Sequence, residues 1–262
     1  MNSTAFQNFI EQLQARLEAD PRVLGLVLLG STADSSYRDQ WSDHDFWVIT
    51  ETGAQGPYLD ASAWLPDAGS ILLSVRNGPS RRTVLYRGGH KVEYAIFDPA
   101  EADAGGKIER FRVVIDRAGV AELARAIRDR AHRERAEAVA RPDNLENLCL
   151  LLWTAHERSL RGERFSAHRY LLASADTLLD LLVFHTDLAS APAADRLDPR
   201  RRLEQLRPEL AAELQRVLPL PMPRAGVELL DLARRLLQTA APGLAWEQAA
   251  VVRRWLDEAG GG

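Results

Sequence analysis

The sequence predicts an α+β protein in which an N-terminal domain built around a β-sheet is followed by a C-terminal helical domain. Up to about residue 116, short apolar runs rich in β-branched residues alternate with turn signals that contain glycine and proline. From about residue 120 onward the strand patterns cease, and apolar residues recur at helical spacing instead. The 262 residues are enough for two small domains. We therefore expect an α/β domain over residues 1–140 and a helical domain over residues 141–262.

The N-terminal domain is predicted to contain a helix followed by six strands. Over residues 5–18 the apolar side chains recur every three or four positions, which is typical of an amphipathic helix. The run VLGLVLLG has β-branched residues and lies between Pro21 and Gly30, which favours a buried strand. The predicted strands cover residues 23–30, 45–50, 71–75, 83–86, 91–97 and 111–116.

The C-terminal domain is predicted to be helical throughout. The stretch 121–140 is rich in alanine, arginine and glutamate, which are strong helix formers, and Pro142 is expected to end it. Several prolines divide the remainder into separate helices. The further predicted helices cover residues 144–162, 163–185, 225–240 and 243–258.

Composition and charge exclude several classes of protein. The net charge of −4 argues against a surface that binds long nucleic acids through their phosphates. Cys149 is the single cysteine, so a disulfide framework and a cysteine-based zinc site are excluded. The N-terminus lacks the pattern of a secretory signal, and no apolar run approaches the ~18 residues that span a bilayer. We expect a cytoplasmic protein that binds neither nucleic acid nor membrane.

Two aspartates at the start of the second strand are the first candidate site residues. Asp43 and Asp45 are two positions apart, and such side chains point to the same face of a strand. Neighbouring carboxylates repel each other, which a fold tolerates mainly when a cation lies between them. Oxygen ligands suit Mg²⁺, which is usually completed by water and substrate phosphates. The pair alone is also typical of solvated acids in a turn or helix cap.

Residues around this pair favour the metal interpretation over the turn. Gly30 and Ser31 end the preceding strand, where a glycine lets a phosphate approach the backbone and a serine can donate its hydroxyl. A helix that starts within residues 32–37 would direct its free N–H groups at the same anion. Alternation along KVEYAIF places Glu93 beside Lys91 on one strand face, where it could ligate the metal or accept a proton from a hydroxyl.

These motifs resemble the nucleotidyltransferase superfamily built on the polymerase-beta-like palm. The resemblance covers residues 20–116 and rests on GS at 30–31, SDHDFWVI at 42–49 and VEYAIF at 92–97. The layout is similar to that of bacterial aminoglycoside and lincosamide adenylyltransferases, in which a helical bundle completes the substrate cleft. The resemblance implies a mixed sheet in the N-terminal domain.

The resemblance also implies a role for each candidate residue. Gly30 and Ser31 would hold the phosphates of a nucleoside triphosphate, Asp43 and Asp45 would bind Mg²⁺, and Glu93 would be the catalytic base or a third metal ligand. The stretch LRGERFSAHRYLL resembles a segment in the helical domains of antibiotic nucleotidyltransferases. By that likeness Arg161 is a candidate phosphate contact.

The chain departs from the family pattern in the Gly-Ser segment with its spacer and in the third acid. Many members have a glycine a few residues after the Gly-Ser pair, where this chain has Ala33-Asp34-Ser35, and the spacer before Asp43 is long. The third acid is glutamate rather than aspartate, as it also is in the antibiotic-modifying branch. The first departure bears on the geometry of phosphate binding rather than on the family.

The expected activity is Mg²⁺-dependent transfer of a nucleoside monophosphate to a hydroxyl of a small molecule, with release of pyrophosphate. AMP from ATP is the favoured donor group, and an aminoglycoside or lincosamide antibiotic the favoured acceptor, so that the function would be antibiotic resistance. The alternative is a protein-modifying nucleotidyltransferase of the antitoxin type that acts on a partner protein. The sequence leaves open the acceptor, the preferred nucleotide, the number of metal ions and whether the chain is a monomer or a homodimer.

Overall fold

The computed structural model describes residues 3–139, 144–186, 195 and 197–260. The chain forms two compact units, Met1–Ala131 and His132–Gly262. The predicted domain boundary at residue 140 and the predicted helix stop at Pro142 lie outside the described residues.

The first unit contains all six predicted strands. Its first strand ends one residue earlier than predicted, because Gly30 takes a left-handed conformation with φ +50°. Short 3₁₀ turns precede the second and third strands. The elements of this unit are α1 (Ser3–Glu18), β1 (Val23–Leu29), α2 (Gly30–Ala33), β2 (His44–Thr50), α3 (Gly56–Asp60), β3 (Ile71–Arg76), β4 (Arg81–Tyr86), β5 (Lys91–Phe97), α4 (Pro99–Gly105), β6 (Phe111–Asp116) and the greater part of α5 (Val120–Val139).

The six strands form one mixed sheet in the order β3-β4-β5-β2-β1-β6. Strands β2 and β5 pair in parallel, whereas the other neighbouring strands are antiparallel. With the helices that follow it, the sheet confirms the predicted α+β class.

The two faces of the sheet carry different side chains because residues alternate along each strand. One face, which includes Phe46 and Tyr94, packs against the apolar stripe of α1. The other face, which includes Trp47 and Ala95, is covered by residues of α4 and α5. This second face also carries the candidate acids at one end.

The second unit is helical in every described element, as predicted. A core of leucine and alanine side chains joins its helices, and Cys149 lies within that core. Burial raises the pKa of the Cys149 thiol to about 12, which makes it a poor nucleophile. The helices are α6 (Asn144–Leu160), α7 (Arg164–His185), α8 (Leu203–Leu206), α9 (Pro208–Val217), α10 (Arg224–Leu237) and α11 (Trp246–Gly260). Within the described part of the chain, no helix is long and apolar enough to cross a membrane.

Candidate functional site

Three carboxylates meet at the end of the sheet where β2 and β5 begin. Asp43 immediately precedes β2, Asp45 lies on β2, and Glu93 lies on β5. The parallel pairing of the two strands places Asp45 directly opposite Glu93. One oxygen from each of the three carboxylates lies within 4.8 Å of the others. The structure therefore brings together the three acids that the sequence singled out.

A lysine already contacts two of these acids. The Lys91 ammonium lies 2.7 Å from Oδ2 of Asp43 and 2.8 Å from Oε1 of Glu93. Burial by itself would lower the pKa of Lys91, but its hydrogen bonds to the two carboxylates outweigh that effect and raise the pKa above its usual value. Lys91 is therefore fully charged at neutral pH.

The donor set fits a hard divalent cation. Three carboxylates and one ammonium leave two formal negative charges at the site. Oxygen donors that surround a compact volume are the ligands Mg²⁺ prefers, and Mg²⁺ commonly keeps water and phosphate oxygens as its remaining ligands. The Glu93 side chain is 46% exposed and that of Asp43 is 22% exposed, so a ligand in solution can reach both.

Thr32 fixes the position of the two aspartates. It was not among the residues predicted from the sequence. Its hydroxyl donates to the backbone carbonyl of Asp43 at 3.2 Å and accepts from the backbone N–H of Asp45 at 2.9 Å. Thr32 is fully buried. A threonine directly after a Gly-Ser pair is the signal that could have identified this link.

Replacing Thr32 by valine is expected to destabilise the fold by about 1–3 kcal/mol. Valine keeps the shape of the side chain, but the part-buried N–H of Asp45 loses its acceptor and the carbonyl of Asp43 loses its donor. Urea denaturation of the variant and the parent chain measures this difference. Thr177→Val is the matched control, because the Thr177 hydroxyl donates to a carbonyl four residues earlier in a helix and its loss should cost little. Equal midpoints for the two variants would contradict the role assigned to Thr32.

The Gly-Ser segment differs in part from the prediction. The helix α2 starts at Gly30 and ends at Ala33, and a separate 3₁₀ turn covers Ser35–Tyr37, so no continuous helix spans residues 32–37. The break lies at Asp34, whose backbone is extended and whose side chain accepts the N–H of Ser36, so the helix does not continue. A Cβ at Gly30 would meet no atom within 4 Å, so the space before this backbone is open.

The backbone N–H of Gly30 is not free to bind an anion. It donates to the carbonyl of Arg110 at 3.0 Å. Ser31 is largely buried, with 8% of its surface exposed. Of the predicted phosphate site, the structure shows open space at Gly30. A contact between Ser31 and phosphate stays a prediction.

The histidine between the two aspartates points to the opposite face. His44 is fully buried and stacks on the ring of Phe6, with ring centroids 3.6 Å apart. Its Nε2 lies 3.0 Å from the carbonyl of Phe6 and its Nδ1 lies 2.7 Å from Nε2 of His90. Burial lowers the pKa of His44 to about 3, so the ring is neutral and serves the core rather than a metal.

Arg161 belongs to the second unit. It is exposed and follows the last residue of α6, in a turn that an ion pair of 2.8 Å between Arg158 and Glu163 holds. Its contact with phosphate stays a prediction.

No protein-family model matches the sequence. No curated protein matches it either. Among solved structures, the chain is similar to an aminoglycoside 6-adenyltransferase from Bacillus subtilis, with a TM-score of 0.37 and 13% identity, and the comparison covers 98% of each chain.

Proposed function

We propose that this protein is a nucleotidyltransferase that transfers a nucleoside monophosphate from a nucleoside triphosphate to a hydroxyl group. The observation that carries the proposal is the meeting of Asp43, Asp45 and Glu93 at one end of the sheet. Their exposure and the open approach at Gly30 support it, because a triphosphate needs room beside the metal.

Asp43 and Asp45 would hold Mg²⁺ together with the triphosphate, and Glu93 would be the third ligand or the base. When bound, Mg²⁺ supplies positive charge that offsets the negative charge of the phosphates. The acceptor hydroxyl attacks the α-phosphorus, the bond from that phosphorus to the leaving oxygen breaks, and pyrophosphate departs. In the role of base, Glu93 accepts the proton of the hydroxyl at one of its carboxylate oxygens.

The remaining predicted residues complete the proposal. Gly30 and Ser31 would contact the phosphates at the end of β1, and Arg161 would add a positive charge from the helical domain. The helical domain, taken as residues 141–262, would complete the substrate cleft. We propose ATP as the donor and a small hydroxylated antibiotic of the aminoglycoside or lincosamide class as the acceptor.

A transfer screen tests this function directly. Each of ATP, GTP, CTP and UTP, labelled at the α-phosphorus, is incubated with Mg²⁺, the protein and pooled antibiotics, and the products are identified by mass. We expect label in one class of acceptor and release of pyrophosphate, both abolished by EDTA. Label on protein alone would replace the small acceptor with a protein substrate, and the absence of any transfer would overturn the proposal.

Removal of the Lys91 ammonium is expected to strengthen the binding of Mg²⁺ by several-fold. In the metal-free chain this group neutralises part of the charge that attracts a divalent cation. Lys91→Met should therefore lower the Kd for Mg²⁺ in the absence of nucleotide, as measured by calorimetric titration. The same variant should be less stable than the parent in EDTA, by about 1 kcal/mol or less because the ion pairs are half exposed.

The second lysine of the chain provides the matched control. Lys107 is exposed and lies outside the acidic cluster. Lys107→Met removes the same charge from the net total and should leave the Kd for Mg²⁺ unchanged. Unchanged or weaker Mg²⁺ binding by Lys91→Met would show that the ammonium does not compete with the metal.

A further inference from the structure

The sheet face that carries the acids continues across β4 to the edge strand β3. Residues paired between neighbouring strands lie on the same face. Asp45 pairs with Glu93, Glu93 pairs with Thr83, and Thr83 pairs with Val75. The adjacent row begins at Lys91, which pairs with Leu85, which pairs with Leu73. Four residues therefore extend the acidic site outward, and we call them the β3–β4 strip: Thr83 and Leu85 on β4, and Leu73 and Val75 on β3.

The β3–β4 strip is uncovered, unlike the rest of this face. Trp47 is 5% exposed and Ala95 3% exposed beneath α4 and α5, whereas Leu73 is 54% and Val75 53% exposed. Thr83 and Leu85 are partly exposed. Isolated exposed apolar residues are ordinary, but these lie in two adjacent rows, one of which starts at Glu93 and the other at Lys91.

The strands of the β3–β4 strip carry no acid, and the acids of the candidate site lie at the start of β2 and β5. The segment 68–92, which contains β3, β4 and the turn between them, has no aspartate or glutamate. Arg81 is exposed and pairs with Ala95, so it shares the face of the strip, whereas the Lys91 ammonium at the start of the second row is paired with Asp43 and Glu93. The cations of the segment are Arg76, Arg81, Arg82, Arg87 and Lys91.

We propose that the β3–β4 strip binds the acceptor of the transfer reaction, and that this acceptor has an apolar face and at most one positive charge. The inference rests on the proposed function, because that function requires the acceptor hydroxyl to lie beside Glu93. Neighbouring strands are about 4.8 Å apart, so the strip extends about 10 Å from Glu93, which is the length of a small molecule.

The chemistry of the strip selects among the proposed acceptors. An acceptor with an apolar surface would cover Leu73, Val75 and Leu85, and removing these side chains from water would favour binding. A polycation such as an aminoglycoside would find no carboxylate on β3 or β4 to pair with, and it would meet Arg81 instead. A hydroxylated acceptor with one amine or none avoids that repulsion.

An acceptor panel is the first part of the test. Kanamycin represents the polycations, lincomycin a singly charged molecule with apolar substituents, and chloramphenicol a neutral one. With ATP and Mg²⁺ held constant, we expect kcat/KM for one of the last two to exceed that for kanamycin by at least tenfold. A preference for kanamycin would overturn the inference and leave the proposed function standing. No transfer to any acceptor tried here or in the antibiotic screen would overturn both.

Substitutions in the β3–β4 strip are the second part of the test. Leu73→Ser and Val75→Ser should each raise KM for the preferred acceptor about tenfold, because each removes an apolar contact from an exposed position that tolerates serine. The kcat and the calorimetric Kd for Mg²⁺-ATP should stay within twofold. Leu72→Ser is the matched control: Leu72 is 51% exposed on the same strand, but the register shifts at this residue and it has no partner in either row.

Two results from these variants would overturn the inference. If Leu72→Ser raises KM as much as the other two, the effect does not belong to the strip. If the serine variants leave KM unchanged but lower the mass measured by sedimentation, the strip pairs with a second copy of the chain. Val75→Glu would add a carboxylate to the strip. Activity on kanamycin several-fold above that of the parent would then support the inference that charge on the strip selects the acceptor.

Discussion

Asp43→Asn and Asp45→Asn are each expected to lower nucleotidyl transfer by roughly 10³-fold or more, which amounts to several kcal/mol of transition-state stabilisation. Asparagine has nearly the same size as aspartate but no charge, so each variant loses half of the charge that the aspartate pair offers to Mg²⁺. The fold should remain intact, because both side chains lie at the surface end of the sheet and the backbone link through Thr32 is unchanged. The effect should therefore be on metal binding rather than on folding.

Steady-state transfer and the calorimetric Kd for Mg²⁺-ATP measure this effect, and circular dichroism checks the fold. Asp60→Asn is the matched control, since Asp60 is an exposed acid of the same unit that pairs with Arg76 away from the triad. It should keep full activity. Undiminished turnover in Asp43→Asn or Asp45→Asn would remove that aspartate from the metal site.

Glu93→Gln is expected to lower kcat by roughly 10²–10⁴-fold, the usual range for the loss of a general base, and to keep the affinity for Mg²⁺-ATP within a few-fold. Glutamine retains the size of the side chain and an oxygen that can accept from Lys91, but it cannot take the proton of the attacking hydroxyl. Glu93 lies on β5 opposite Asp45, so it belongs to a different strand from the aspartate pair.

Binding and turnover measured on the same preparation separate the two roles of Glu93. Lost nucleotide binding would make Glu93 a metal ligand. Unchanged kcat would make it a bystander, and the base would then be sought among acids of the helical domain such as Glu157 or Glu163. Rescue of activity by Glu93→Asp, which restores a carboxylate one methylene shorter, would support the assignment as base.

The alternation of side chains along each strand is a local property of the backbone, so the sequence was sufficient to predict which residues share a face. Glu93 was predicted to lie on one face of β5, with Val92 and Tyr94 on the other face. The structure agrees, because Val92 and Tyr94 are buried against α1. His44 likewise turns away from the flanking aspartates. A helix that starts within residues 32–37 was considered, and the structure has only a 3₁₀ turn over Ser35–Tyr37, where the side chain of Asp34 accepts the backbone N–H of Ser36.

Local patterns were enough to identify the residues that could form the site: the order of strands and helices, the two aspartates on one face, and a third acid on a later strand. The contacts of those residues became known from the folded chain. The parallel pairing of β2 with β5, the contacts of Lys91, the Thr32 link and the exposed rows on β3 and β4 all join residues distant in the chain. Such pairings depend on which strands become neighbours in the sheet, and that order brings together residues far apart in the chain.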